Sequence, residues 1–246
     1  MVCEAINFII NTRFGTKILH SCAKRDLYNI FEFFVEHDAN VDAADNKGNS
    51  ILHIASRFGS IRIVNAILLR SYNINVHNIY GDTPLHYSIK YRHLHVMQIL
   101  LQFGAGINCL NLLGESPLHT AVKHADGVML GLLIKGGAFL ETEDVEGSTP
   151  LHIAASSNCK DFVEILPRSR ADVNAIGKNG CTPLHLAVIN NNIEIVRLLL
   201  YNKANVHLEF FDNSGESYTA LDVAKTSKNK KIIDLLLLHG VHDDKC

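Results

Sequence analysis

The chain has 246 residues, 47% of them hydrophobic and 20% charged, an ordinary globular composition with ample material for a core. Lys and Arg number 23 against 25 Asp and Glu, a formal net charge of −2, so no global field draws the protein to nucleic acid or to an anionic membrane and any electrostatic recognition is local. The six cysteines (Cys3, Cys22, Cys109, Cys159, Cys181, Cys246) form no CxxC pair and no dense framework, which reads as reduced thiols rather than as disulfide staples.

Residues 1–10 read Met-Val-Cys-Glu-Ala-Ile-Asn-Phe-Ile-Ile. The absence of a basic start, and an apolar run broken by Glu4 and Asn7, argue against a signal peptide. Nowhere do about 18 apolar residues run unbroken, so no membrane insertion is expected. Both readings place the protein in the cytoplasm or nucleus, although non-classical export leaves no such trace. Residues 1–11 are expected to form a short N-terminal cap, with Phe8, Ile9 and Ile10 covering one end of the fold, and the polar tail 241–246 closes the other end.

From Gly15 onward one phrase recurs every 33 residues. It reads Gly-Thr-Lys-Ile-Leu-His from Gly15, Gly-Asn-Ser-Ile-Leu-His from Gly48 and Gly-Asp-Thr-Pro-Leu-His from Gly81. It continues as Gly-Glu-Ser-Pro-Leu-His from Gly114, Gly-Ser-Thr-Pro-Leu-His from Gly147 and Gly-Cys-Thr-Pro-Leu-His from Gly180. An altered seventh copy, Tyr-Thr-Ala-Leu-Asp-Val-Ala at 218–224, arrives four residues late. Within each unit a Ser or Thr hydroxyl precedes an apolar run, as in Thr83-Pro84-Leu85, which predicts a capped helix with proline in its first turn. A second stripe at helical spacing comes next, such as Ile63, Val64, Ile67 and Leu68, or Ile195, Val196, Leu199 and Leu200, and predicts a second helix. Gly104-Ala105 and Gly137-Ala138 supply left-handed caps, and a short extended run leads to the next Asp/Asn-x-x-Gly turn.

A 33-residue period carrying T-P-L-H-x-A resembles the ankyrin repeat family, over about residues 12–240. The resemblance implies an all-α ankyrin-repeat solenoid of about seven helix-turn-helix repeats with protruding loops, each unit burying its helices only against its neighbours. The ankyrin-repeat domain is expected over 12–246, with repeats at approximately 12–44, 45–77, 78–110, 111–143, 144–176, 177–211 and 212–246.

Six of the 14 histidines (His20, His53, His86, His119, His152, His185) share one repeat position. The resemblance implies that these rings hydrogen-bond the backbone and neighbouring turns. His93 and His95 are two apart on a helix and do not face each other, so no metal site is expected. The chain carries no G-x-S-x-G, P-loop, H-E-x-x-H or dinucleotide fingerprint, and nearly every residue is assigned to a repeat, so neither catalysis nor a cofactor is expected.

Departures from the repeat carry the specific information. Loop tips that are usually polar hold Ile79-Tyr80 and Leu112-Leu113, and the ends of successive first helices hold Arg57-Phe58, Lys90-Tyr91 and Lys123-His124. Stacking sets residues 33 apart side by side, so these positions predict an apolar and basic strip on repeats 2–4, of the composition found in interface anchors. The alternative is that one residue at each tip packs on the neighbouring loop. Ankyrin proteins resembling this one can be hydroxylated at an asparagine eight residues after a leucine. Leu100 to Asn108 and Leu166 to Asn174 fit, and Asn174 is the better target; the alternative is a side chain bonded within its loop. Pro167, late in a second helix, is expected to disfavour helix at Leu166 and to make repeat 5 the weakest internal unit, with Arg170 replacing a capping glycine. Between repeats 6 and 7 the period stretches to 37, and Phe210 or Phe211 in the extra chain is a second anchor or a cover for the last repeat.

The functional expectation is a non-catalytic, monomeric protein-protein interaction module that binds a partner protein through loop tips and the inner helix face. The alternative is an exported host-manipulation effector or a latrotoxin-like membrane-acting ankyrin protein.

Overall fold

The computed structural model describes residues 13–70, 72–124, 126–212 and 214–243. The expected cap at 1–11 lies outside the described residues, as does the end of the tail. Among the described residues the regular elements are nearly all helices, and the chain divides into two compact units between Thr120 and Ala121.

In the first unit α1 (Arg13–Arg25) pairs with α2 (Tyr28–Glu36), α3 (Ile51–Phe58) with α4 (Ile61–Leu68), and α5 (Pro84–Lys90) with α6 (Leu94–Gln102). First helices stack as α1, α3, α5 and second helices as α2, α4, α6. Leu19, Ile51, Ile63, Leu85, Ile89 and Leu100 are completely buried between them. The unit ends in α7 (Pro117–Lys123), within which the division falls.

The second unit continues with α8 (Gly127–Lys135), α9 (Pro150–Ser156), α10 (Lys160–Arg168), α11 (Pro183–Ile189), α12 (Ile193–Tyr201), α13 (Ala220–Ser227) and α14 (Lys230–Asp243). Here α9, α11 and α13 form one stack and α8, α10, α12 and α14 the other.

The recurrent phrase is legible as hydrogen-bond chemistry. Ser50, Thr83, Thr149 and Thr182 cap their helices, each accepting from the backbone N–H of the histidine three residues on while that ring accepts from the cap's own backbone N–H. This is a capping box with imidazole in the usual place of Glu or Gln; in α13 Thr219 and Asp222 perform it. Because the cap's N–H donates to Nδ1, Nε2 carries the proton. It donates to a carbonyl 29 residues on: His53 to Asp82 at 2.9 Å, His86 to Glu115 at 3.1 Å, His152 to Cys181 at 3.0 Å. One residue type thus both starts a helix and staples it to the next turn.

Two sequence expectations are corrected, and the inserted chain takes a form not read from the sequence. The inserted chain is not a plain loop: β1 (Glu209–Phe211) and β2 (Ser217–Thr219) form an antiparallel ribbon with Phe210 opposite Tyr218. The insertion carries Ser214, 29 residues after His185, into the ribbon's turn. The Nε2 of His185 consequently has no well-formed hydrogen bond among the described residues, although the Leu208 backbone lies near it. Pro167, finally, does not end its helix. α10 runs through it to Arg168 with Leu166 completely buried, because the packing of Leu166 outweighs one missing bond in the last turn, and Ser169 N–H caps the Ile165 and Leu166 carbonyls at 3.0 Å. Arg170 adopts φ +76° in the place where Gly104 and Gly137 take +86° and +89°, so the lost capping glycine is real.

Candidate partner-binding surface

The loop tips are shaped by asparagine. Asn78 Oδ1 accepts the N–H groups of Tyr80 (2.9 Å) and Asp82 (3.0 Å), and Asn111 Oδ1 those of Leu113 (2.9 Å) and Glu115 (3.0 Å), an Asx turn repeated once per unit. Successive tips are then joined through backbone: Ile79 N–H donates to the Lys47 carbonyl at 3.1 Å and Leu112 N–H to the Tyr80 carbonyl at 3.0 Å. That approach requires glycine. A Cβ on Gly81, at φ +75°, would stand 2.5 Å from the Leu112 nitrogen. With the backbones paired, the side chains of Ile79, Tyr80, Leu112 and Leu113 remain exposed, 50% to 71%. The tips are thus joined through main chain, with Ile79 also leaning over Gly48 of the preceding tip, and these four side chains stay at least half exposed.

At the helix ends, Arg57 lies in the last turn of α3 with Phe58, and Lys90 closes α5 with Tyr91 at its cap. The basic and aromatic rows interlock: the Arg57 guanidinium stands 5.4 Å from the Phe58 ring and 4.8 Å from the Tyr91 ring, within cation–π range. Lys24, 33 residues before Arg57, extends the basic row into repeat 1, its ammonium 5.5 Å from Phe58. The sequence expectation missed Lys24, although the same spacing would have found it. Lys123 and His124 fall in the second unit, Lys123 at the end of α7.

The six repeat-position histidines are structural. Burial pushes His53 down to about 4 and lowers His86 and His152 against the opposing pull of nearby carboxylates and backbone carbonyls. His185 is likewise pushed to about 4 by burial, and Phe210 packs edge-on to it at 5.0 Å. His20 departs from the others: Lys17 stands where a capping hydroxyl would be, and its ring nitrogens meet the Thr16 carbonyl at 2.7 Å and the Asn49 carbonyl at 3.0 Å. His93 Nε2 meets the Arg57 carbonyl at 2.8 Å. Among the described residues no cluster of three or more His, Cys, Asp or Glu is placed to hold a metal ion.

Of the two aromatics in the insertion, Phe210 is half-buried between His185 and Tyr218, and Phe211 is 49% exposed. Asn174 Oδ1 accepts the Asn205 N–H at 2.7 Å. Asn75 does the same to Gly106 at 2.8 Å, and Glu141 to Asp172 at 2.9 Å, so three loop starts each hold the next loop by a side chain. Asn108 is half-buried at the equivalent loop position.

Comparison with known proteins agrees with this geometry. The family model described as ankyrin repeats (3 copies) matches residues 2–79, 59–144, 104–176, 128–210 and 169–245. Among solved structures the chain is similar to the human ASB11 ankyrin repeat domain, with 27% sequence identity and a TM-score of 0.75, covering 90% of this chain and 96% of that one. A search of curated proteins gave no significant match. With family matches running nearly end to end over a period that the capping histidines explain, the chain belongs to the ankyrin repeat family.

Proposed function

We propose that this protein is a monomeric binding module of the cytoplasm or nucleus whose partner protein docks across repeats 2–4. Ankyrin repeats are in general non-catalytic protein–protein interaction modules. The observation that carries the reading is the exposure of Ile79, Tyr80, Leu112 and Leu113 on tips whose backbones are already paired, because a surface ordered before binding loses little entropy on docking. Phe58 and Tyr91 join them as anchors, and Arg57 and Lys90 supply the basic rail; Lys123 and His124 continue the same sequence positions. Among the described residues no helix is long and apolar enough to cross a membrane, and nothing in the geometry favours the effector or membrane-acting alternative.

The test is affinity for a partner identified by proximity labelling. Tyr80→Ala with Tyr91→Ala removes two anchors, each commonly worth at least about 2 kcal/mol, and is expected to abolish binding without unfolding the chain. Lys90→Glu is expected mainly to slow association at low salt. The control is the corresponding strip on repeats 5–6, Ser156, Ser157, Ile189 and Asn190, which lacks rings and paired cations. Equal loss from both strips, or none from the first, overturns the assignment.

A further inference from the structure

Beside the strip lies an open groove of about 900 Å³ on repeats 1 and 2, lined by Lys17, Lys24, Lys47 and Arg57, with Ile54 and Phe58 as apolar floor. The side chains of two of these cations, Lys17 and Lys47, lie outside the basic row described above. We propose that this groove receives an acidic segment of the partner protein, carboxylates flanking an apolar side chain. This rests on the reading that the partner docks on the first-helix face, and it adds the chemistry recognised there.

Charge is the first support. The chain as a whole is slightly acidic, yet the groove gathers four cations, and among the described residues none of the four forms an ion pair with a carboxylate of the groove. Cations on and just after the second helix α4 are treated differently: Arg62 pairs with Asp26 at 3.2 Å and Arg70 pairs with Glu32. The single carboxylate among the lining residues, Asp45, is already saturated by the Lys47 N–H (2.8 Å), the Asn49 N–H (2.9 Å) and the Asn49 amide (2.9 Å). Burial raises its pKa, but these bonds outweigh burial and hold it below the usual carboxylate range. It stays ionised while it shapes a turn, so it offsets one of the four cations and leaves the groove positive.

Geometry is the second. Lys24 and Arg57 both stand against the Phe58 ring, at 5.5 and 5.4 Å from its centre, which limits the side-chain freedom that an ion pair would otherwise have to remove. An acidic protein segment fits better than nucleic acid. Four cations around an apolar floor match a few carboxylates and one hydrophobic side chain, whereas a nucleic-acid strand draws its affinity from a longer run of phosphate contacts.

The experiment is fluorescence anisotropy on the full chain. The probe is a short labelled peptide alternating Glu with Leu, beside versions carrying Gln or Lys for Glu and a single-stranded oligonucleotide. The Glu peptide is expected to bind, to weaken as salt rises, and to lose at least about a hundredfold in affinity to the Lys17→Glu/Lys24→Glu/Lys47→Glu variant. The matching Gln variant of the three lysines, which removes charge without reversing it, is expected to lose about tenfold. Equal binding of the Glu and Lys peptides, unchanged affinity in both variants, or tighter binding of the oligonucleotide overturns the acidic-segment proposal. The wider docking assignment is tested apart from it: if the identified partner still depends on Tyr80 and Tyr91 but not on these lysines, only the groove proposal falls, and if it depends on neither, both fall.

Discussion

Replacing His53 and His185 in parallel by leucine tests what the shared histidine does, because the two differ chiefly at one nitrogen. Both rings accept from the backbone N–H of their capping residue, at 3.2 Å from Ser50 and 3.1 Å from Thr182. Both meet an aromatic ring edge-on, Tyr87 at 5.4 Å and Phe210 at 5.0 Å. Both are 1% exposed or less. Only His53 uses Nε2, on the Asp82 carbonyl. That carbonyl also accepts the Asn78 N–H at 3.1 Å, so it is not orphaned by the change, and the loss there is about one net hydrogen bond, ~1 kcal/mol. His185→Leu loses no such bond and removes a buried, unpartnered nitrogen worth about 1–3 kcal/mol. His53→Leu is therefore expected to cost about 2 kcal/mol or more beyond His185→Leu. Amide exchange in α3 and α11 reads the two local losses separately. Equal losses would show that the 29-residue staple contributes nothing, and a larger loss at His185 would reverse the argument.

Acid should destabilise the fold through the same residues. His53 and His185 have folded-state pKa values lowered from 6.5 to about 4 by burial, so the unfolded chain takes up these protons first. Their stabilisation is complete above about pH 6.5 and is lost as pH falls toward 4, about 3 kcal/mol for each ring; an unfolding midpoint in urea unchanged between neutral pH and pH 4.5 contradicts this. Pro167→Leu should restore a helical bond and Arg170→Gly should relieve a left-handed arginine, each by about 1 kcal/mol, and exchange in 159–170 should slow in both; faster exchange would mean that this end is built to stop there. Asn174→Ala should free the Asn205 N–H and cost about 1 kcal/mol locally. Incubation with an oxygen-dependent asparagine hydroxylase should add one oxygen to the parent chain and none to that variant, and an unchanged parent mass ends the modification proposal.

Much of this molecule was legible because its helices begin with local chemistry. Thr-Pro-Leu-His announces a capped helix in seven-residue segments such as Pro84–Lys90, and the resemblance to the ankyrin family implied that the imidazoles reach the next turn, as those of His53, His86 and His152 do. The exposed tips were legible for the same reason: the Asx turn fixes the backbone, and Ile79, Tyr80, Leu112 and Leu113 have no helix face to bury. The ribbon at 209–219 was not legible, since its short strands sit where the period breaks and the pairing of Phe210 with Tyr218 is a tertiary choice. Pro167 misled because propensity is a weak prior beside the burial of Leu166. Lys24 has the row's 33-residue spacing but is followed by Arg25, not by a ring, and its approach to Phe58 shows that it belongs to the row.

The most direct test of the docking assignment is a hydrogen-exchange footprint of the full chain with and without its identified partner. Docking on repeats 2–4 predicts slowed exchange in peptides covering the ends of α3 and α5 and the tips around Tyr80 and Leu112, with the ends of α9 and α11 unchanged. Protection confined to α4 and α6, or centred on Ser156, Ser157, Ile189 and Asn190, would contradict it.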